Sequence, residues 1–168
     1  QAFRAADPGT LTAWCSWARF WSPTFGEAVR WHPVDVMRAA MEYCDYGMPM
    51  VYWTDGPTPA HAVRLLDQAI PQWQKYTKKP LLPIGRAYNG DGTTADPAAV
   101  IEFAAQVVGR GFKGISWWSM QHALALPQIW QALTVTPAMA RPTSPETPPP
   151  AEETQLDRIE RKIDQLLA

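Results

Sequence analysis

The feature that most constrains this chain is a recurrence. Strand-like runs begin near Leu11, Cys44, Leu81 and Phe112, at intervals of about thirty-odd residues, the length of one βαβ unit. The intervals carry helix-start signals. Pro33 precedes Val34, Met37 and Met41, which share one helical face. Thr58-Pro59 supplies a capping residue and a first-turn proline, after which Val63, Leu66, Ile70 and Trp73 recur at helical spacing. Pro71 is expected to kink or end that helix before its last turn. Asp96-Pro97 repeats the device ahead of Val100, Ala104 and Val107, and Gly109 and Gly111 stop the helix. Leu126 to Thr134 reads as one more short helix. Strict alternation of strand and helix implies an α/β fold with a parallel sheet and right-handed crossovers.

A complete eightfold barrel needs roughly 250 residues, so four successive βα units would be half of one. A freestanding four-stranded doubly wound sheet is the alternative, but no Gly-rich phosphate loop supports it. Residues 1–136 are therefore expected to form the α/β part. From Pro137 to Ala151 six prolines fall within fifteen residues, which reads as a semi-rigid, largely extended linker. Residues 152–168 lack Gly and Pro, and Leu156, Ile159, Ile163 and Leu166 fall at spacings of 3, 4 and 3. That is an a/d seam. Two heptads make a marginal helix alone, so the tail calls for a partner helix, and homo-oligomerisation through these four residues is the expectation. A frayed amphipathic tail is the plainer reading.

The chain begins at Gln1 without an apolar leader, which reads as a processed or excised piece. No run of roughly 18 apolar residues is present, so no membrane-spanning helix is expected. With a formal charge of -1 and a pI near 6.3, nothing favours a phosphate backbone, and nucleic acid is not an expected partner. Neither a cofactor motif nor a metal-ligand spacing is present. Cys15 and Cys44 fall on neighbouring strands at offset heights and read as two free core thiols. Nine Trp against five Phe is the compositional anomaly. Trp carries a polar N–H, so an excess often marks binding surfaces, although Trp31, Trp73 and Trp130 read as packing residues.

Two strand runs end in aromatic and polar residues. One is Met48-Pro49-Met50-Val51-Tyr52-Trp53-Thr54-Asp55, the other Gly114-Ile115-Ser116-Trp117-Trp118-Ser119-Met120-Gln121. A parallel strand covered on both faces is normally aliphatic. The carboxyl ends of parallel strands are where ligands sit, and stacked rings suit a sugar. Period-two alternation would put Trp17 and Arg19 on one face, the first as a stacking platform and the second able to pair with an acid. A core Trp beside a surface Arg is the competing reading. Tyr52 could donate to a sugar oxygen or acetamido carbonyl. Asp55 and Asp91 are the weak acid candidates, yet Asp55-Gly56-Pro57 and Asn89-Gly90-Asp91-Gly92 are also good turn chemistry. Arg86, Tyr88 and Gln121 are further candidate contacts. His122 is expected in a loop facing the site and has no assigned role.

At these strand ends the chain resembles the glycoside-hydrolase-like (β/α)8 barrels of the broad chitinase-like and lysozyme-like group. Met50-Val51-Tyr52-Trp53 matches that group's Met-x-Tyr-Asp at the end of the sixth strand, and Trp117 or Trp118 matches its eighth-strand sugar platform. The resemblance implies that residues of about 10–134 are the C-terminal half of such a barrel, carrying its fifth to eighth strands. It also implies a non-proline cis peptide at Trp117-Trp118 or Trp118-Ser119. Two departures stand out. Trp53 replaces the group's Asp, and the group's catalytic acid lies on the fourth strand, outside these residues. The implied role is a secreted or phage-associated protein acting on an N-acetylated polysaccharide of peptidoglycan or chitin type, inactive as this piece alone. The competing reading is a non-catalytic sugar-binding or tail-associated module. Substrate contacts are expected from Trp17, Arg19, Tyr52, Trp53, Arg86, Tyr88, Trp117, Trp118 and Gln121.

Overall fold

A computed structural model describes residues 9–22, 26–27 and 34–136. The elements run β1 (Ala13–Trp17), β2 (Trp21–Ser22), β3 (Gly26–Glu27), α1 (Val34–Tyr43), β4 (Tyr46–Val51), α2 (Pro59–Tyr76), β5 (Ile84–Arg86), α3 (Pro97–Gly109), β6 (Ser116–Trp118), α4 (Met120–Leu124) and α5 (Pro127–Val135). The strands β1, β4, β5 and β6 lie side by side in that order, every pair parallel. This is the α/β alternation expected, four parallel units in one sheet, the complement of half an eightfold barrel. Three features were not anticipated: the β2–β3 antiparallel pair, the single-turn α4, and strands that start two to four residues later than the apolar runs. The proline-rich segment, the seam of Leu156, Ile159, Ile163 and Leu166, Trp31 and Pro33 lie outside the described residues.

The sheet has two unlike faces. In β4 and its extension Gly47, Pro49, Val51 and Trp53 are buried, while the alternate residues Met48, Met50 and Tyr52 are half-buried. The buried parity meets the helices. The α2 stripe of Ala62, Leu65, Leu66, Ala69, Ile70 and Trp73 faces it, and α3 adds Ala99, Val100, Phe103, Ala104 and Val107. Met37 and Met41 of α1 complete that layer. On the other face Cys15 and Trp17 of β1 and Trp118 of β6 are exposed.

Cap chemistry explains the helix starts. The Asp96 carboxylate accepts from the Ala98 N–H at 2.9 Å, and Pro97 occupies the first turn, where no N–H is needed. Thr58 caps α2 through its backbone, its side chain being engaged by His61 at 2.8 Å. Pro71 does not end α2, which continues to Tyr76. Both Pro71 and Asp67, four residues earlier, are exposed, so water can serve the carbonyl that the missing N–H would have used. Trp73 is buried as expected, but Trp130 is exposed on α5. Neither cysteine forms a disulfide, and Cys15 is exposed on the open face instead of lying in the core.

Candidate functional site

The residues that follow β1, β4, β5 and β6 gather at one end of the sheet, because parallel strands all deliver their carboxyl ends to the same edge. Tyr52 lies one residue past β4 and Tyr88 two past β5, and both keep the open-face parity through the registers Trp17↔Met50, Met50↔Ile84 and Ile84↔Ser116. Their rings meet edge to face, centroids 5.9 Å apart and planes at 90°. Tyr88 in turn lies 6.1 Å from the His122 ring at the start of α4. Three consecutive strand ends therefore share one aromatic rim. Trp118 flanks it on β6, 55% exposed, and Trp17 ends β1 with 50% of its surface exposed. The Tyr52 hydroxyl has no hydrogen-bond partner among the described residues.

The same parity removes two candidates. Trp53 is one residue past Tyr52 and so faces the helices, 0% exposed, with its ring 5.1 Å from Phe103. It cannot reach a ligand, and its buried indole N–H has no partner among the described residues. Trp117 also turns inward. It packs 5.5 Å from Phe103 and lies over Gly85, where a Cβ would come within 2.3 Å of its ring. Of the paired tryptophans, only Trp118 is left for the rim. Arg19 is removed by a different contact: it reaches across to α2, its guanidinium donating to Gln68 Oε1 at 2.8 Å, and it has no acid partner among the described residues.

Arg86 is a different correction. Its parity is that of the rim, yet it is 0% exposed. Its guanidinium donates to the carbonyls of Trp53 (2.9 Å), Tyr88 (3.0 Å), Gly90 (2.8 Å) and Thr93 (2.7 Å), and to the Thr93 hydroxyl. The Tyr88 ring lies over it at 4.9 Å. The charge is thus spent on holding the 88–93 loop, not offered to a ligand. That loop turns through Asp91 (φ 53°) and Gly92 (φ 76°), with Gly90 and Thr93 paired across it. Two successive positive φ values are what a type I′ turn requires. Asp91 is therefore the turn residue expected, but its carboxylate is also engaged at the rim, accepting from the Tyr88 hydroxyl at 2.6 Å.

Burial is the main reason the Tyr52 phenol is pushed well above its ordinary value, with Cys15 and Tyr88 adding to it. Tyr88 is pushed up to about 12, first by burial, then by its hydrogen bond to Asp91 and that carboxylate's charge, against the opposing pull of Arg86. Both are neutral donors or acceptors at physiological pH. Asp55 is paired with Arg64 of α2 at 2.5 Å, both half-exposed. Gln121 is exposed within α4, which begins directly after the strand, so neither it nor His122 lies in a loop. The His122 Nδ1 lies 2.6 Å from Ser119 Oγ, a contact between the helix-capping residue and the third residue after it. Thr58 and His61 repeat it in α2, which makes it helix-start geometry instead of a nucleophile–base pair. The Trp118-Ser119 peptide is cis, one of the two bonds expected. No group of three or more His, Cys, Asp or Glu that could hold a metal occurs among the described residues.

No protein-family profile matches the chain. No curated protein matches it either. Among solved structures, bee venom hyaluronidase in complex with a hyaluronic acid tetramer is similar, with a TM-score of 0.56 and 18% identity over 80% of this chain and 47% of that one. A monoclinic crystal structure of bee venom hyaluronidase aligns at a TM-score of 0.36 and 20% identity, over 65% of this chain and 38% of that one. The chain spans about half the length of the hyaluronidase it matches. At this identity the likeness shows the fold alone, an α/β arrangement of parallel strands. No helix among the described residues is long and apolar enough to cross a membrane.

Proposed function

We propose that the protein is a carbohydrate-active domain that acts on or binds an extracellular N-acetylated polysaccharide of the peptidoglycan or chitin type. One observation carries this reading: the chain of rings from Tyr52 through Tyr88 to His122, with exposed Trp118 beside it, at the carboxyl ends of adjacent parallel strands. Trp118 supplies a flat apolar surface for the face of a pyranose ring. The unpartnered Tyr52 hydroxyl donates to a ring substituent such as an acetamido carbonyl.

Hydrolysis of a glycosidic bond needs a carboxylic acid at the leaving oxygen and a second group supporting the developing cation. Neither described candidate supplies the first. Asp55 is engaged by the Arg64 guanidinium, and Asp91 by the Tyr88 hydroxyl. The acid then comes from strands outside these residues, and the chain alone turns over no glycan. A non-catalytic binding module is the second reading. It is favoured by Trp53, a core residue where the resembled group has a substrate-contacting Asp.

Saturation-transfer NMR with the trisaccharide of N-acetylglucosamine tests the shared claim. Transfer to the sugar is expected from the wild-type chain and is lost in Trp118→Ala and Tyr52→Phe. Equal transfer in all three proteins refutes the site. Restoring the complete gene product and assaying release of reducing ends separates the enzyme from the binder.

A further inference from the structure

Resting on the proposed sugar site, we infer that Asp91 is a ligand-binding carboxylate of the rim, that Arg86 is the residue positioning it, and that the ligand it takes is a pair of neighbouring hydroxyls on an uncharged sugar. The inference starts from an expense. A guanidinium removed from water is tolerated only when its N–H groups are all satisfied. Arg86 meets that condition with five acceptors, and four of them belong to the loop it clamps: the carbonyls of Tyr88, Gly90 and Thr93 and the Thr93 hydroxyl. Asn89 Oδ1 adds a further tie, accepting from the Ala95 N–H at 2.7 Å. A short surface turn does not ordinarily need a buried cation beneath it.

What the clamp fixes is the place of one side chain. Asp91 sits at φ 53°, a conformation glycine adopts at no steric cost. The residue there is a carboxylate, one of the side chains that a type I′ turn accepts. One of its oxygens is oriented by the Tyr88 hydroxyl, and the other has no partner among the described residues. An ionised carboxylate is an acceptor with about four lone-pair sites. Sugar hydroxyls are donors, and two on adjacent carbons can meet one carboxylate. The Tyr88 and Tyr52 rings form the adjoining apolar wall. The same negative charge opposes a uronate, since the neighbouring cation Arg86 is buried and already bonded. The site thus selects neutral N-acetylated sugars over a polyuronate.

The test measures binding of the wild-type chain to the N-acetylglucosamine trisaccharide and to a hyaluronan tetrasaccharide by calorimetry, beside Asp91→Asn, Asp91→Gly and Thr93→Val. Loss of a charge-assisted hydrogen bond weakens binding by about tenfold or more. That loss is expected for both Asp91 variants with the trisaccharide, while their melting temperatures stay within about 2 °C of wild type because glycine and asparagine both accept the turn. Thr93→Val removes one clamp acceptor without changing side-chain shape. It should weaken binding a few-fold in the wild type and not at all in the Asp91→Gly background, which a general structural role would not reproduce. Trisaccharide bound equally by wild type and Asp91→Gly overturns this inference and leaves the sugar site standing. Preference for the hyaluronan tetrasaccharide overturns the selectivity. A wild-type chain that binds neither sugar at millimolar concentration overturns both the inference and the proposed function.

Discussion

Gly85→Ala tests the geometry on which the division between Trp117 and Trp118 depends. Gly85 lies in the middle of β5 with its helix-facing side against two rings. A Cβ there would stand 2.3 Å from Trp117 Cζ3, and 2.7 Å from both Phe103 Cε1 and Trp117 Cε3. Ordinary carbon–carbon contacts are about 3.5–4.0 Å, so more than an ångström of displacement is demanded. Neither ring can yield easily. Phe103 is fully buried and packed 5.1 Å from Trp53, while Trp117 sits on the neighbouring strand, in register with Gly85. Overpacking of this kind costs about 1–3 kcal/mol, occasionally more, and a strand glycine gives back less than about 1 kcal/mol of conformational entropy on replacement. The net expectation is a loss of about 2 kcal/mol, several degrees in melting temperature for a chain of this size. Urea unfolding followed by near-ultraviolet circular dichroism reads both the stability and the environment of the tryptophans. A midpoint unchanged from wild type, with an unaltered aromatic spectrum, would falsify the inward placement of Trp117.

Further expectations are independent of that one. Trp117→Ala should cost about 3 kcal/mol through lost core packing, whereas Trp118→Ala should leave stability nearly unchanged and remove sugar binding, as paired denaturation and binding measurements would show. Tyr88 has a folded-state pKa of about 12 against an ordinary 10.0. Its contribution to stability is therefore complete below pH 10 and falls away as pH rises toward 12, and Asp91→Asn should lower its ionisation midpoint in an ultraviolet phenolate titration. A midpoint unmoved by that substitution would break the Tyr88–Asp91 link. Light scattering of the chain with and without residues 137–168 should show self-association lost on truncation; an unchanged mass removes the tail from any oligomerising role.

How much of this was legible in the sequence depends on which physical rule each residue obeys. The four parallel units could be read because caps, first-turn prolines and apolar spacing are local signals. Asp96-Pro97 and the stripe of Leu66, Ile70 and Trp73 announced their helices directly. The rim was legible in outline, since Tyr52 and Tyr88 follow strands and parallel strands end together. Trp17 and Trp118 are exposed at the carboxyl ends of their strands, where either a platform or a core Trp was open for the first and either member of the pair for the second. Trp53, Trp117 and Arg86 were not legible as core or clamp residues. Which of two adjacent aromatics faces outward depends on strand register, and register is set by pairing between segments thirty residues apart. Pro71 misled for a related reason: whether a proline ends a helix depends on whether the affected carbonyl is left to solvent.

The sequence alone determined the order of elements and the edge at which the aromatic side chains would gather, because both follow from short-range periodicity and from the common direction of parallel strands. Only the tertiary structure decided the allocation of those side chains. It sent Trp53 and Trp117 into the core beside Phe103, left Trp118 and Tyr52 open, and buried Arg86 under the turn that carries Asp91. That allocation rests on strand register and on the satisfaction of a buried charge, which involve groups brought together only when the sheet forms.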